Sequence, residues 1–170
     1  MCNELMIADF KIMEEKMEEK YILSVEGKQT VDGQSDKIDL QTRASYMMKN
    51  GNRYISYTEY DTMNPKQTYR TTIKVSPENI VTVMKGGTEK HNLMLEQGVR
   101  HKCEYITGFG MISLGVFTDS VKVNLDDKGG EIKVHYNIDV QSELASVNEL
   151  TINIKEAVND VGSYSDIEQS

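Results

Sequence analysis

Few cysteines and no long apolar run limit what this chain of 170 residues can be. Its two cysteines, Cys2 and Cys103, are too few for the disulfide framework of a small secreted domain, so we interpret them as reduced thiols. No stretch approaches the roughly 18 apolar residues that a membrane-crossing helix needs. Residues 1–20 also lack the apolar run of a signal peptide. These absences predict one domain in the cytoplasm.

A surplus of positive charge is missing as well, since the net charge is −8. The acidity is concentrated at the ends: residues 1–20 hold six acids against three bases, and residues 156–170 hold four acids and no base. The body between them is close to neutral. Non-specific nucleic-acid binding needs excess Lys and Arg to replace phosphate counterions, so this balance argues against nucleic acid, although it leaves room for a local basic patch.

Catalytic and metal-binding signatures are absent too. The sequence has no Gly-x-Ser-x-Gly, no phosphate-binding glycine loop and no His-Glu-x-x-His, which predicts a non-enzyme without a cofactor. His101 and Cys103 share one strand face, and His91 could in principle add a third ligand. A zinc site needs three or four ligands, so we predict none here. A Cys103–His101 nucleophile pair would lie roughly 6–7 Å apart, too far for a hydrogen bond.

What the sequence has in abundance is alternation, shown best by residues 121–140. Apolar residues alternate with polar ones on both sides of an Asp-Asp-Lys-Gly-Gly segment. Such alternation is typical of strands that are buried on one face. We expect Gly129 and Gly130 to supply the positive φ of a short reversal, so the segment predicts a β-hairpin.

The same unit recurs from Tyr21 to Ile154. Asp32-Gly33 and Asn50-Gly51 are hairpin turn signals, and further strands are predicted at residues 53–60, 68–75, 80–85, 91–95, 100–106 and 147–154. The apolar phase shifts between Val116 and Val121, which predicts a β-bulge or a sharp corner near residues 117–120. The sequence therefore predicts an all-β fold, a single closed antiparallel meander β-barrel of nine or ten strands.

The ends of the chain differ from this domain, which we place at residues 20–155. Residues 1–19 form either a short helix or a frayed acidic extension, because Met6, Phe10, Met13 and Met17 share one helical face. Residues 156–170 are polar and acidic, which is typical of a disordered tail.

The order of the strand blocks resembles one bacterial family. The blocks are Ile55–Tyr60, Thr71–Val75, Val81–Gly87, Leu95–Gly98, Tyr105–Gly110 and the hairpin of residues 121–140. In that order they are similar to the YwiB-like proteins, which are small calycin-like (lipocalin-like) β-barrels without an assigned activity. The resemblance covers about residues 20–155 and implies the fold. An apolar internal ligand is common in calycin-like barrels, and extending it to this chain is an analogy between folds.

The first candidate site is the barrel interior, which is either filled by side chains or open to one small apolar or amphipathic molecule. Glu59 shares parity with Ile55 and Tyr57, so it is expected to face inward, where a carboxylate needs a partner. Arg70 and Arg100 are the candidate partners. The predicted ligand-binding residues are Glu59, Tyr57, Arg70, Arg100 and Tyr136. In the alternative interpretation Glu59 is solvated at the barrel mouth or forms an ordinary ion pair.

A second hypothesis is a non-catalytic interaction module. Strands 53–60 and 67–75 are rich in tyrosine, and aromatic and arginine side chains are common anchors for protein or RNA partners. The predicted outer surface comprises Tyr54, Tyr60, Tyr69, Arg53 and Arg70. The oligomeric state cannot be predicted from these residues.

Overall fold

The computed structural model describes residues 18–87 and 90–158, and every element in it is a β-strand. Residues 1–17 of the predicted N-terminal helix or extension and residues 159–170 of the acidic tail lie outside the described residues. The ten strands are β1 (Tyr21–Val31), β2 (Gln34–Lys49), β3 (Asn52–Tyr60), β4 (Thr68–Val75), β5 (Val81–Lys85), β6 (His91–Leu95), β7 (Arg100–Thr107), β8 (Gly110–Asp126), β9 (Gly129–Val140) and β10 (Glu143–Glu156).

The strands form one antiparallel meander in the order β6-β5-β4-β3-β2-β1-β10-β9-β8-β7. β6 and β7 are the two end strands of this order, and the curvature of the sheet brings them together. There the Cys103 Sγ donates a hydrogen bond of 3.0 Å to the Asn92 carbonyl oxygen. No ladder joins these two strands among the described residues, so the barrel is nearly closed. The predicted all-β meander barrel is confirmed. Within residues 18–87 and 90–158 no helix is long and apolar enough to cross a membrane.

The turn chemistry places the reversals. Asp32 and Gly33 have φ of 49° and 78°, and Asn50 and Gly51 have φ of 53° and 82°, which are the left-handed conformations of a two-residue hairpin loop. The reversal between β8 and β9 differs from the prediction, because it falls at residues 127–128, one pair before the expected glycines. Gly129 instead allows close backbone approach, since a Cβ there would lie 2.0 Å from the Ile154 carbonyl oxygen.

The predicted bulge in β8 is confirmed. The register with β9 shifts between Thr118 and Ser120, so Val116 and Val121 face the same side despite their odd spacing. The extra residue lets this long strand bend around the barrel.

β2 is the strand that leaves one end of the barrel open. It pairs with β1 from Gln34 to Ala44 and with β3 only from Ser45 to Lys49. From Gln34 to Ala44, β2 therefore pairs with β1 and not with β3, so the β1–β2 hairpin diverges from β3. We call the end that carries the β1–β2, β3–β4, β5–β6, β7–β8 and β9–β10 connections the upper end, and the opposite end the lower end.

The core fills the middle and the lower part of the barrel. Residues of inward parity from both walls are buried there, as the alternation predicts. The fully buried apolar side chains are Leu23, Ile55, Ile73, Val81, Leu95, Val116, Ile132, Val134, Ile152 and Ile154. Burial at this level contributes about 1.5–3 kcal/mol for each large aliphatic side chain, so this cluster is the main source of the fold's stability.

Candidate functional site

The upper end of the barrel is open and apolar. Four side chains of inward parity remain exposed there: Val31 by 43%, Ile38 by 68%, Ile112 by 44% and Val140 by 38%. They stand on β1, β2, β8 and β9, above the filled core on the same inner faces. We call this opening the upper mouth. Val31 and Ile38 are exposed where β2 pairs with β1 and no longer with β3, so β3 does not cover them.

Polar side chains line the other wall of the upper mouth. The ladders place Tyr57 beside Thr71 and Thr71 beside Lys85, and they place Glu59 beside Tyr69. The Thr71 hydroxyl donates a hydrogen bond of 2.5 Å to the Glu59 carboxylate. The Lys85 ammonium lies 5.6 Å from the centre of the Tyr69 ring. We call these five residues of β3, β4 and β5 the Glu59 cluster.

The electrostatics of the cluster show that its groups sense one another. Burial, reinforced by the Glu59 carboxylate, raises the pKa of Tyr57. Burial also raises the pKa of Tyr69, where Lys85 acts in the opposite direction. For Lys85 burial alone would lower the pKa, but the Glu59 carboxylate and the Tyr69 hydroxyl more than offset it, so the pKa is raised. At neutral pH Lys85 is therefore charged and both tyrosines are neutral.

Two aromatic rings extend the polar wall toward β7. The β5–β6 ladder places His91 beside Lys85, and the His91 and Tyr105 ring centres lie 4.8 Å apart. Tyr105 pairs in register with Ile112, one of the exposed apolar residues of the mouth. The polar wall thus leads directly into the apolar wall.

Glu59 and Tyr57 lie where the alternation places them, on the inner face of β3 in the ladder with β4. The two predicted arginine partners do not. Arg70 has the opposite parity, and its guanidinium donates to Ser56 and Thr58 on the outer face. The expectation that Arg70 pairs with Glu59 is wrong, because adjacent strand residues point to opposite sides.

Arg100 is also on the outer face. Its guanidinium forms a bidentate pair with Asp139, at 2.9 Å and 2.6 Å, across the backbone of Gly115. A Cβ at Gly115 would lie 2.1 Å from the Arg100 guanidinium nitrogen, so any side chain at this position would displace the pair from its present arrangement. Arg100 holds the pKa of Asp139 below its ordinary value through their hydrogen bond. The expectation that Arg100 partners Glu59 is therefore wrong as well.

Tyr136 faces inward but belongs to a different part of the wall. It pairs with Thr118 on β8 and with Asn148 on β10, and burial raises its pKa. Sequence order alone does not reveal that several strands separate it from Glu59. The structure groups Tyr57 and Glu59 and leaves Tyr136 apart from them.

Sequence reasoning missed the roles of Tyr69 and Lys85, although a signal was present. Tyr69 shares parity with Thr71 and Ile73 on β4, and Lys85 shares parity with Val81 and Val83 on β5. Continuing each apolar alternation by one step would have placed both side chains inside. The predicted outer surface of tyrosine and arginine residues is therefore wrong for two of its five members, because Tyr69 faces inward and Arg53 faces Tyr46 across the inner face. Its other members, Tyr54, Tyr60 and Arg70, have outward parity.

The lower end differs from the upper mouth because hydrogen bonds close it. The Tyr46 hydroxyl donates to the Asp126 carbonyl oxygen at 2.5 Å, and Arg53 donates to that hydroxyl at 3.0 Å and to the same carbonyl at 3.1 Å. A pocket of about 270 Å³ remains beside them, lined in part by Met48 and Leu125. These bonds fasten the β8–β9 turn across the lower end of the barrel.

The residues weighed for metal or thiol chemistry are dispersed. His101 lies 3.6 Å from Glu96, and Cys103 is buried with its thiol donating to the Asn92 carbonyl. Burial raises the pKa of Cys103, which disfavours the thiolate that a nucleophile needs. Within residues 18–87 and 90–158 no group of three or more metal-ligating side chains is assembled.

Comparison with known proteins agrees with this architecture. Residues 23–152 match the family model described as a domain of unknown function, DUF1934. The chain belongs to this family. A curated relative, the uncharacterized beta-barrel protein YwiB of Bacillus subtilis (strain 168), is 31% identical over 121 residues, which are 71% of this chain and 82% of the relative.

The crystal structure of the ywiB protein from Bacillus subtilis matches the chain with a TM-score of 0.72 and 26% sequence identity, covering 86% of this chain and 99% of that chain. The predicted YwiB-like family is confirmed. The family and the matching crystal structure thus agree with the β-barrel fold of this chain.

Proposed function

We propose that this protein binds a small amphipathic molecule in the upper mouth of its barrel. The polar group of the molecule lies against the Glu59 cluster, and its apolar part covers Val31, Ile38 and Ile112. The observation that carries the proposal is the exposure of inward-facing apolar side chains at the same end of the barrel as a partly buried carboxylate and ammonium. Concave sites with an apolar lining and a few polar groups are the usual geometry of ligand pockets.

Physical reasoning favours occupation of this mouth over solvation. Covering an apolar surface gains about 25 cal/mol for each Å² removed from water, so three large aliphatic side chains offer a substantial driving force. Glu59 and Lys85 present one acceptor and one donor of opposite charge in a partly desolvated wall. A polar group that both donates and accepts hydrogen bonds satisfies them together.

The remaining parts of the proposal are a non-catalytic role and a cytoplasmic location. Supporting the first, the only thiol in the barrel has a raised pKa, and Glu59 is engaged with Thr71. Supporting the second, the chain has the charge balance and the two cysteines expected of a cytoplasmic protein.

A fluorescent fatty acid, 11-(dansylamino)undecanoate, tests the apolar half of the proposal. The proposal predicts that the probe binds with enhanced, blue-shifted emission and that Ile38→Asp abolishes binding, because a charge then enters the apolar wall. Met48→Asp is the matched control, since Met48 has inward parity and is exposed by 51% at the lower end. Equal loss in both variants, or no binding by the wild type, contradicts the proposal.

Native mass spectrometry of protein purified from its own host tests the polar half. A retained molecule is expected as added mass in the wild type and is expected to be lost in the Glu59→Gln, Lys85→Met double variant. Thr58 lies on the outer face of β3, so Thr58→Val provides a control that keeps the adduct. An adduct that survives in the double variant places the ligand elsewhere.

A further inference from the structure

The β7–β8 hairpin extends beyond the rest of the sheet. The ladder between β7 and β8 continues up to Thr107 and Gly110, whereas the ladder between β8 and β9 ends at the Gly115–Asp139 pair. Between Gly110 and Leu114, the edge of β8 that faces away from β7 pairs with no described residue. We call residues 105–114 the overhanging ribbon.

The ribbon is unusually apolar for an exposed edge. Phe109 at its tip is fully exposed, Met111 is exposed by 65%, and Ile106 and Ile112 are also exposed. Residues 105–118 contain no Asp, Glu, Lys, Arg, His or Pro, in a chain with 27% charged residues. The overhanging part of β8 thus presents a flat backbone edge flanked by apolar side chains.

Natural proteins protect such edges with charges, proline or bulges because an unpaired edge is a template for another strand. The ribbon carries none of these, and the bulge of β8 lies farther down, at Thr118–Ser120. A bilayer is a poor match for this edge, since backbone N–H and C=O groups inside hydrocarbon would lose their hydrogen-bonding partners. An added strand satisfies the backbone groups and covers the apolar side chains together.

We propose that the added strand comes from a second copy of this chain, with the β8 edges of two protomers pairing antiparallel about a two-fold axis. Two observations favour a second copy. An antiparallel pair is its own complement under two-fold symmetry, the commonest symmetry of soluble oligomers. Moreover, the uncharged ribbon brings two chains of net charge −8 together without opposing like charges across the new ladder.

The size of the ribbon sets the strength of the dimer. A pairing of about five residues, 110–114, with three apolar side chains is smaller than the roughly 800 Å² per partner of a standard interface. The dimer is therefore weak and forms only at high protein concentration. We expect a dissociation constant in the micromolar range or above. This inference is independent of the proposed ligand site, except that Ile112 borders both.

The tests accordingly leave Ile112 unchanged. Met111 and Ser113 lie on the outer side of β8, away from the upper mouth. Sedimentation equilibrium of the full chain, from about 1 to 500 µM, is expected to show a monomer–dimer equilibrium. The Met111→Lys, Ser113→Lys double variant is expected to weaken it roughly tenfold or more, because like charges then oppose each other across the ladder. Val147→Lys, on the outer face of β10, is the control and leaves the equilibrium unchanged.

Amide hydrogen exchange of the wild type gives a second readout that needs no variant. Exchange of the β8 amides between Met111 and Leu114 is expected to slow as protein concentration rises, while exchange in β1 stays constant. A wild type that remains monomeric throughout, or a dimer that the double variant leaves intact, overturns the proposal. Co-sedimentation of monomer with phosphatidylcholine vesicles that depends on Met111 overturns it too, in favour of a lipid surface.

Discussion

Replacing Glu59 with glutamine tests whether the polar wall is one electrostatic unit. The substitution keeps the shape of the side chain and an acceptor for the Thr71 hydroxyl, but it removes the charge that raises the pKa of Lys85. Pairs of exposed charges contribute roughly 0.2–1 kcal/mol, and breaking a buried pair costs roughly 3–5 kcal/mol. Because Lys85 is only partly buried, we expect a loss of about 1–2 kcal/mol, or about 2–8 °C in Tm for a chain of this size.

The pH dependence gives the sign of the effect. In the wild type the pKa of Lys85 is raised above its ordinary value of 10.5, so its stabilising contribution is complete below that value and is lost as the pH rises through the raised pKa. In Glu59→Gln, burial is no longer offset by the carboxylate and the pKa of Lys85 falls. The stability difference between the two proteins should therefore narrow as the pH rises through the raised pKa of Lys85.

Urea unfolding between neutral pH and pH 11 measures the difference, and NMR titration of the Lys85 side chain measures its pKa directly. Glu26→Gln is the control, because Glu26 is exposed on the outer face of β1 and its loss is expected to change stability by less than about 0.5 kcal/mol. If Glu59→Gln leaves both the stability and the pKa of Lys85 at wild-type values, the cluster is not coupled and the argument for a polar anchor fails.

Two further predictions concern glycines. Gly129→Ala is expected to lower the free energy of unfolding by at least about 3 kcal/mol or to prevent folding, because its φ of 122° is strained for alanine and the new Cβ would meet a backbone oxygen at 2.0 Å. Gly33 has a φ of 78° and nothing within 4 Å of the added Cβ, so Gly33→Ala should lower the free energy of unfolding by only about 1–2 kcal/mol. Equal urea midpoints for the two variants would refute the distinction. Gly115→Ala should separate Arg100 from Asp139 and raise the pKa of Asp139 in an NMR titration. The stability that Asp139 contributes to the wild type is present above its ordinary pKa and is lost as the pH falls through the depressed value. In Gly115→Ala this contribution should be smaller at every pH above the ordinary pKa, and an unchanged pKa of Asp139 would contradict the prediction.

The fold could be predicted from sequence because its determinants are local. The period of two in residues 121–140 identifies strands, and Asp32-Gly33 and Asn50-Gly51 are hairpin turns whose left-handed conformations the structure confirms. The phase change in β8 even revealed the bulge, since one inserted residue must exchange the two faces. Each of these signals lies within a few residues of the feature that it predicts.

The site was predictable only in part because it depends on how strands align. Parity placed Glu59 and Tyr57 correctly, and the same rule would have excluded Arg70 and Arg100 and included Lys85. The open mouth carries no local signal, because it arises from the point on β2 where pairing passes from β1 to β3, between Ala44 and Ser45. No single stretch of sequence specifies that transfer.

Methyl NMR of the isoleucine-labelled protein with 11-(dansylamino)undecanoate tests whether an amphipathic molecule occupies the upper mouth. We expect the methyl signals of Ile38 and Ile112 to shift and to show contacts with the chain of the probe, while those of the buried Ile132 and Ile152 remain in place. Absence of any shift at Ile38 and Ile112, with or without binding at another part of the protein, would contradict it.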